Sequence, residues 1–160
     1  MEAKAQTEQN IDELVRLRNF TYMGSDISGQ SDQLSYGKLY EQYKIIESEV
    51  EELANAISVN DDVEILDGAI DSLVTVLGML RRLEKLGYDV DKAMLKVGQN
   101  NLTKFPTSLT VVDDSVKMYA EQGVKITPVF SHLHDRWALI DENGKYRKPI
   151  NYQNVDLTDC

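Results

Sequence analysis

Two groups of carboxylates stand out for their spacing. Glu47, Glu49, Glu51 and Glu52 crowd one stretch, and Glu64, Asp67 and Asp71 come after them at helical intervals. At about 100° per residue, Glu49 and Glu52 share one side of a helix, three residues apart, so both side chains can reach one cation. Glu47 and Glu51 fall on a different side and read as a solvated face. The second group belongs to a helix whose Ile65, Leu66, Ala69, Ile70, Leu73, Val76, Leu77 and Leu80 cover most of the circumference. One sector remains for Glu64, Asp67, Asp71 and Thr75, with Gly68 and Gly78 beside them. Acids on a helix built for burial are costly unless a cation neutralises them. Hard oxygen donors of this kind suit Mg²⁺ or Mn²⁺. The competing reading, for each acid taken singly, is an ordinary solvent face.

The elements that must position these acids emerge from the apolar pattern. Asn10, with Glu13 three residues on, is an N-cap candidate for a helix through Ile11, Leu14, Leu17 and Phe20. Residues 24–35, rich in Gly, Ser, Asp and Gln, read as a loop. A long helix is predicted over 36–58, with Ile46, Val50, Leu53 and Ile57 on its stripe. The Asn60-Asp61-Asp62 cluster breaks it and offers a cap. A more apolar helix is predicted over 63–86, stopped by Gly87, and a fourth from Asp89 or Val90 to about Asn101. The expected fold is mainly α, with a catalytic domain over residues 1–112 and a four-helix-bundle-like core at 36–105. An appendage of one helix and a β-hairpin, residues 113–160, is expected to pack on the same domain. In it, 113–122 read as a short helix closed by Gly123. Residues 124–130, 136–140 and 145–152 read as strands, with Asn143-Gly144 as a hairpin signal between the last two.

Composition narrows the function classes. The 160 residues carry a formal net charge of -10, which argues against a free binder of nucleic acid, since such proteins present a basic stripe. Acidity does not oppose a phosphorylated substrate, because a carboxylate-held Mg²⁺ supplies the positive charge that phosphates need. The hydrophobic fraction of 42% supports a real core. The single cysteine, Cys160, excludes an internal disulfide, and with only His132 and His134 as other soft ligands a structural zinc site is not expected. No apolar run approaches a membrane span, and 1–10 lack the apolar segment of a signal peptide, so a cytoplasmic protein is expected.

Beyond these readings, the order of motifs carries a resemblance. Ile46-Glu47-Ser48-Glu49-Val50-Glu51-Glu52-Leu53, then Asp67-Gly68-Ala69-Ile70-Asp71-Ser72-Leu73, resembles the paired acidic motifs of the all-α nucleoside triphosphate pyrophosphatases. That superfamily includes MazG, the dimeric dUTPases and phosphoribosyl-ATP pyrophosphatase. Val97-Gly98-Gln99-Asn100-Asn101-Leu102-Thr103-Lys104 and a tail with Tyr119, Gly123, Gly144, Lys145, Lys148, Asn151 and Tyr152 are similar to MazG-like phosphoribosyl-ATP pyrophosphohydrolase-like proteins of bacteriophages. The likeness covers roughly 39–157. Two positions depart from the family's Glu-Glu-x-x-Glu and Glu-x-x-Asp: Ser48 stands at the first glutamate, and Gly68 at the glutamate of the second motif, with Asp67 one residue earlier.

The resemblance implies Mg²⁺-dependent cleavage of a (deoxy)nucleoside triphosphate to monophosphate and pyrophosphate, with Mn²⁺ as a substitute. It implies Glu49, Glu52, Asp67 and Asp71 as catalytic and metal-holding residues and Glu64 as a helper. Asn101 and Lys104 match its Asn-x-Ser/Thr-Lys pattern and are expected at phosphate or sugar, with Lys145 and Lys148 closing over the phosphates. A helix C-terminus and a solubilising turn are the ordinary readings of those four residues. Candidate substrates are dUTP, dCTP and dGTP or GTP. A homodimer or homotetramer is expected, in the host cytoplasm if the chain is phage-encoded. The alternative is a non-catalytic nucleotide- or partner-binding helical module; a metal buffer is weaker. His132 and His134 read as ordinary strand or loop residues. Phe20, Tyr36, Tyr40 and Tyr43 are candidates to stack on a base, with core packing as the plainer use.

Overall fold

The computed structural model describes the backbone of residues 2–160 and the side chains of residues 12–160. It is mainly helical: α1 (Glu2–Ile27), α2 (Tyr36–Val59), α3 (Asp62–Lys85), α4 (Val90–Leu102) and α5 (Leu109–Glu121), then strands β1 (Ile126–Ser131) and β2 (Arg136–Asp141). A 3-10 turn, Gln30–Asp32, lies between α1 and α2. Among the described residues no helix is long and apolar enough to cross a membrane. The chain forms two compact units, Met1–Val90 and Asp91–Cys160.

The first unit is built on α2 and α3, joined by a two-residue turn. Asn60, at φ 57, ends α2 in the left-handed conformation, and its N–H returns to the carbonyls of Ala56 and Ile57. Asp61 then caps α3, its carboxylate accepting from the N–H groups of Val63 and Glu64 at 3.2 Å. Each side chain does what its type favours, Asn tolerating positive φ and Asp satisfying orphan helix donors. α1 packs on α3 through a polar clasp. Arg81 donates twice to Asp26, at 3.0 and 2.6 Å, and Glu84 takes Arg18 at 2.7 Å and the Tyr22 hydroxyl at 3.0 Å. α1 also corrects the expected boundaries. It begins at Glu2 and runs through Asn10, whose side chain lies outside the described residues, and continues past Gly24 to Ile27. Arg18, Tyr22 and Asp26, one turn apart, all face α3, and that tertiary anchoring outweighs the weak helix propensity of 24–27.

The expected division at residue 112 places α4 with the other helices; the two units instead meet at Val90 and Asp91. Side-chain bonds explain why α4 belongs to the tail. Lys92 donates to the Asp159 carbonyl at 2.9 Å, Lys96 to the Asp156 carbonyl at 3.0 Å, and Asn100 to the Tyr152 hydroxyl at 2.8 Å. Arg136 on β2 donates to the carbonyls of Leu102 and Phe105 at the C-terminus of α4. The core of this unit joins Val112 of α5 to Ile126 and Leu139 of the hairpin, with Val116, Tyr119, Val124 and Trp137 around it.

The hairpin lies earlier than Asn143-Gly144 suggests. β1 and β2 pair antiparallel, Ile126 opposite Asp141 and Ser131 opposite Arg136, across residues 132–135, where Asp135 adopts φ 50. Asn143-Gly144 does turn the chain, yet beyond it lies a single bridge, Ile140 to Tyr146, rather than a third strand over 145–152. Backbone groups there are taken by α5: the Tyr119 hydroxyl donates to the Lys148 carbonyl at 3.0 Å, and the Ile150 N–H donates to Ser115 Oγ at 2.9 Å. Pro149 between them has no N–H for a ladder. Asp141 organises the turn. It is buried, accepts from the N–H groups of Asn143 and Lys145 at 2.9 Å, and holds Arg147 at 2.7 Å. These contacts, the Lys145 N–H foremost, hold its carboxyl below the usual range. A depressed folded-state value stabilises above the ordinary aspartate range and is lost as pH falls through the depressed one. Asp141→Asn is therefore expected to lower the melting temperature at neutral pH. The gap from wild type should narrow below roughly pH 4; a gap independent of pH contradicts this account.

Candidate metal and phosphate site

Where α2 and α3 cross, Gly68 lies against Leu53. A Cβ at position 68 meets the Leu53 Cα at 3.1 Å and its Cβ at 3.2 Å. The missing side chain lets the two backbones approach, which draws the acids one turn either side of the crossing toward one another. Glu49 and Glu52 precede Leu53 on α2; Asp67 and Asp71 flank Gly68 on α3. Glu49 is half-buried, while Glu52, Asp67, Asp71 and Glu64 are exposed in the protomer. Burial pushes the Glu49 carboxyl above its ordinary range, and the negative charges of Glu52, Asp71 and Asp67 push it further. Among the described residues, none of these four acids has an ion pair or a side-chain hydrogen bond. Glu52, Asp67 and Asp71 thus lie near enough to Glu49 for their charges to act on it.

The donor set fits a hard divalent cation in kind: carboxylate oxygens only, mutually repelling and without a protein counter-charge. It is not a closed chelate. Among the described residues, no three Asp, Glu, His or Cys side chains converge tightly enough to hold an ion as they stand. Charge repulsion acts over many ångströms, whereas coordination needs oxygens within about 2.0–2.6 Å of one point. Neighbouring acids that still need their side chains turned inward satisfy both observations. Glu64 lines one open groove with Glu52 and Asp61 and another with Asp67.

The two departures from the acidic motifs acquire physical meaning. Ser48 is exposed and donates to the Ile45 carbonyl of its own helix at 2.9 Å, so it adds nothing to the cluster. Gly68 is a point where α3 packs against the Leu53 backbone with no room for a side chain. A glutamate placed there is expected to destabilise the first unit by about 1–3 kcal/mol through overpacking against the Leu53 backbone. Thermal melting of Gly68→Glu tests this; a melting temperature at or above wild type contradicts the crossing.

The expected phosphate-binding residues belong to the second unit. Lys104 donates to the Asn101 side-chain oxygen at 2.8 Å, so these two are brought together, each partly satisfying the other. Lys148 lies over the Tyr152 ring with its Nζ 4.2 Å from the centroid, and Lys145 is exposed beyond the Gly144 turn. Sequence reasoning passed over Asn100, which ties α4 to Tyr152. It also passed over Arg82, a buried guanidinium in the first unit. Arg82 Nε donates to the Gln30 carbonyl at 2.9 Å and NH1 to the Gln42 side-chain oxygen, while Gln42 Nε2 donates to the Thr75 carbonyl at 2.9 Å. Burial lowers the Arg82 pKa, with the charge of Glu41 opposing it. His132 and His134 are exposed in the β1–β2 turn, and Phe20, Tyr36, Tyr40 and Tyr43 are all exposed.

Compared with known proteins, the chain matches no family model, no curated protein and no solved structure.

Proposed function

We propose that the protein is a Mg²⁺-dependent nucleoside triphosphate pyrophosphohydrolase, releasing a monophosphate and pyrophosphate, with Mn²⁺ able to substitute. The observation that carries this reading is that Glu52, Asp67 and Asp71 raise the Glu49 carboxyl beside the Gly68–Leu53 crossing, with no ion pair to any of the four among the described residues. A divalent cation held there would supply positive charge toward phosphate oxygens and Lewis acidity toward water. Glu52, Asp67 and Asp71, the more exposed acids, are the residues that would hold it. Glu49, whose proton affinity is raised by burial and by its three neighbours, is the group suited to take the proton from the attacking water. Glu64 serves as an outer helper at the edge of the groove it shares with Glu52.

Asn101, Lys104, Lys145 and Lys148, all in the second unit, are assigned to phosphate and sugar by the motif resemblance alone. The substrate is a ribo- or deoxynucleoside triphosphate, with dUTP, dCTP and dGTP or GTP as candidates in nucleotide-pool control. The test is a panel of all common nucleoside triphosphates with Mg²⁺ or Mn²⁺, scoring monophosphate and pyrophosphate together. Turnover of at least one, abolished by chelator, supports the reading; release of orthophosphate alone, or no turnover across the panel, removes it. The wide apolar exposure on α2 and α3 favours, as the second reading, a helical module that binds a nucleotide or partner without catalysis.

A further inference from the structure

The outward side of α2 carries a pattern unrelated to the acids. Tyr36, Tyr40, Tyr43, Glu47, Val50, Ala54 and Ile57 succeed one another at alternating steps of four and three residues, the spacing of a coiled-coil seam. The opposite flank of the helix, through Gln42, Leu53 and Ala56, is the one turned to α3. The seam itself is uncovered: Tyr36 is 87% exposed, Tyr40 61%, Val50 50% and Ile57 54%. At 1.5 Å per residue it runs for roughly 32 Å. A stripe of this length and regularity, with three tyrosines in water, is far from the isolated apolar residues common on a monomer surface.

Charge along the seam chooses the occupant and its direction. Glu47 is the one acid in the stripe, held by Lys44 and by the Tyr43 hydroxyl at 2.9 Å. On the flank away from α3, Lys44 and Glu51 stand one heptad apart, and Glu51 has no ion-pair partner among the described residues. Two copies of α2 laid side by side in parallel put Glu47 against Glu47 at the centre of the contact. Laid antiparallel about a two-fold axis between Ser48 and Glu49, Glu47 meets Val50, Tyr40 meets Ile57, and Lys44 of each copy lies two residues, about 3 Å, from the level of Glu51 of the other, within reach of its side chain. The helix is self-complementary in one direction only, as a two-fold contact requires.

We propose that α2 is the pairing surface of a homodimer, in which it runs antiparallel to α2 of a second copy through the Tyr36–Ile57 seam. Self-association is expected from the sequence; the face, the partner element and its direction come from the exposed seam. This pairing is independent of the chemistry assigned to the acids, and its readouts are mass and cross-linking rather than turnover. In a Cys160→Ser background, a chain carrying Tyr40→Cys is mixed with one carrying Ile57→Cys and oxidised, beside each variant alone. The expected result is a disulfide-linked pair in the mixture and none from Tyr40→Cys alone, with wild type at dimer mass by light scattering. Val50→Glu is expected to weaken association at least about a hundredfold while far-UV circular dichroism stays unchanged. A monomeric wild type, a linked pair from Tyr40→Cys alone, or a dimer indifferent to Val50→Glu each overturns the proposal. So does a seam that proves to bind a different protein's helix in place of a second copy.

Discussion

Asp71→Asn is expected to reduce triphosphate turnover by about a hundredfold or more while leaving the helical fold intact, the scale seen when one group stabilising transition-state charge is removed. Asp71 is exposed and makes no ion pair or side-chain hydrogen bond among the described residues, so an isosteric amide costs the fold nothing. It does remove one of the charges that raise the Glu49 carboxyl. Because Glu49's folded-state value is raised, its ionised form destabilises the metal-free protein once pH exceeds the ordinary carboxylate range. Neutralising Asp71 relieves part of that repulsion. The metal-free variant should therefore melt above wild type at neutral pH, and the melting increment produced by saturating Mg²⁺ should shrink. The two signs together separate a catalytic cluster from a solvent face. Acids that merely face water leave no Mg²⁺ increment to shrink, and a non-catalytic module keeps its partner binding in the variant. Unchanged turnover in Asp71→Asn removes Asp71 from the site, and with it the convergence argued for the other three.

The features that stated themselves in the sequence are those set by local chemistry. Asp61 at the start of α3 and Gly87 beyond its end hold the positions their types predict, and the charges of Glu52, Asp67 and Asp71 are felt at Glu49. The failures share a cause. Asn143-Gly144 is a strong local turn, yet the segment after it is claimed by Tyr119 and Ser115 of α5, a competition invisible to a window of about ten residues. Arg82 reads locally as a cation helping the C-terminus of α3. Its burial depends on Gln42, on the preceding long helix, and on the Gln30 carbonyl. The tyrosines of α2 have the opposite problem. Their spacing was legible, but a stripe at helical period says only that something covers it, and the protomer leaves it bare. Gly68 combined both errors, since a departure from a ligand pattern is indistinguishable from a packing requirement until Leu53 is seen against it.

The largest effect on stability is expected at Arg82. Its guanidinium is buried, 5% exposed, and bridges the 3-10 turn to α2 and α3 through neutral acceptors. Gln42, equally buried, depends on it: the amide oxygen takes the Arg82 NH1 while the amide nitrogen is committed to the Thr75 carbonyl. Gly78 leaves room for this arrangement, since a Cβ there stands 3.3 Å from Gln42 Nε2. Arg82→Ala removes the donor to both acceptor oxygens and opens a cavity, so a loss of about 2–4 kcal/mol is expected in denaturant unfolding monitored by circular dichroism. Arg82→Lys should recover little, because a single ammonium cannot span both acceptors as the planar fork does. Arg82→Met keeps most of the volume but leaves the same oxygens without their donor, so it should fall between Ala and wild type. The turn at Gln30–Asp32 should become the earliest site of proteolysis in the Ala variant, because the Arg82 bond to the Gln30 carbonyl is then gone. If Met proves as stable as Arg, the guanidinium contributes only its bulk, and the hydrogen-bonded bridge is not what holds the first unit together.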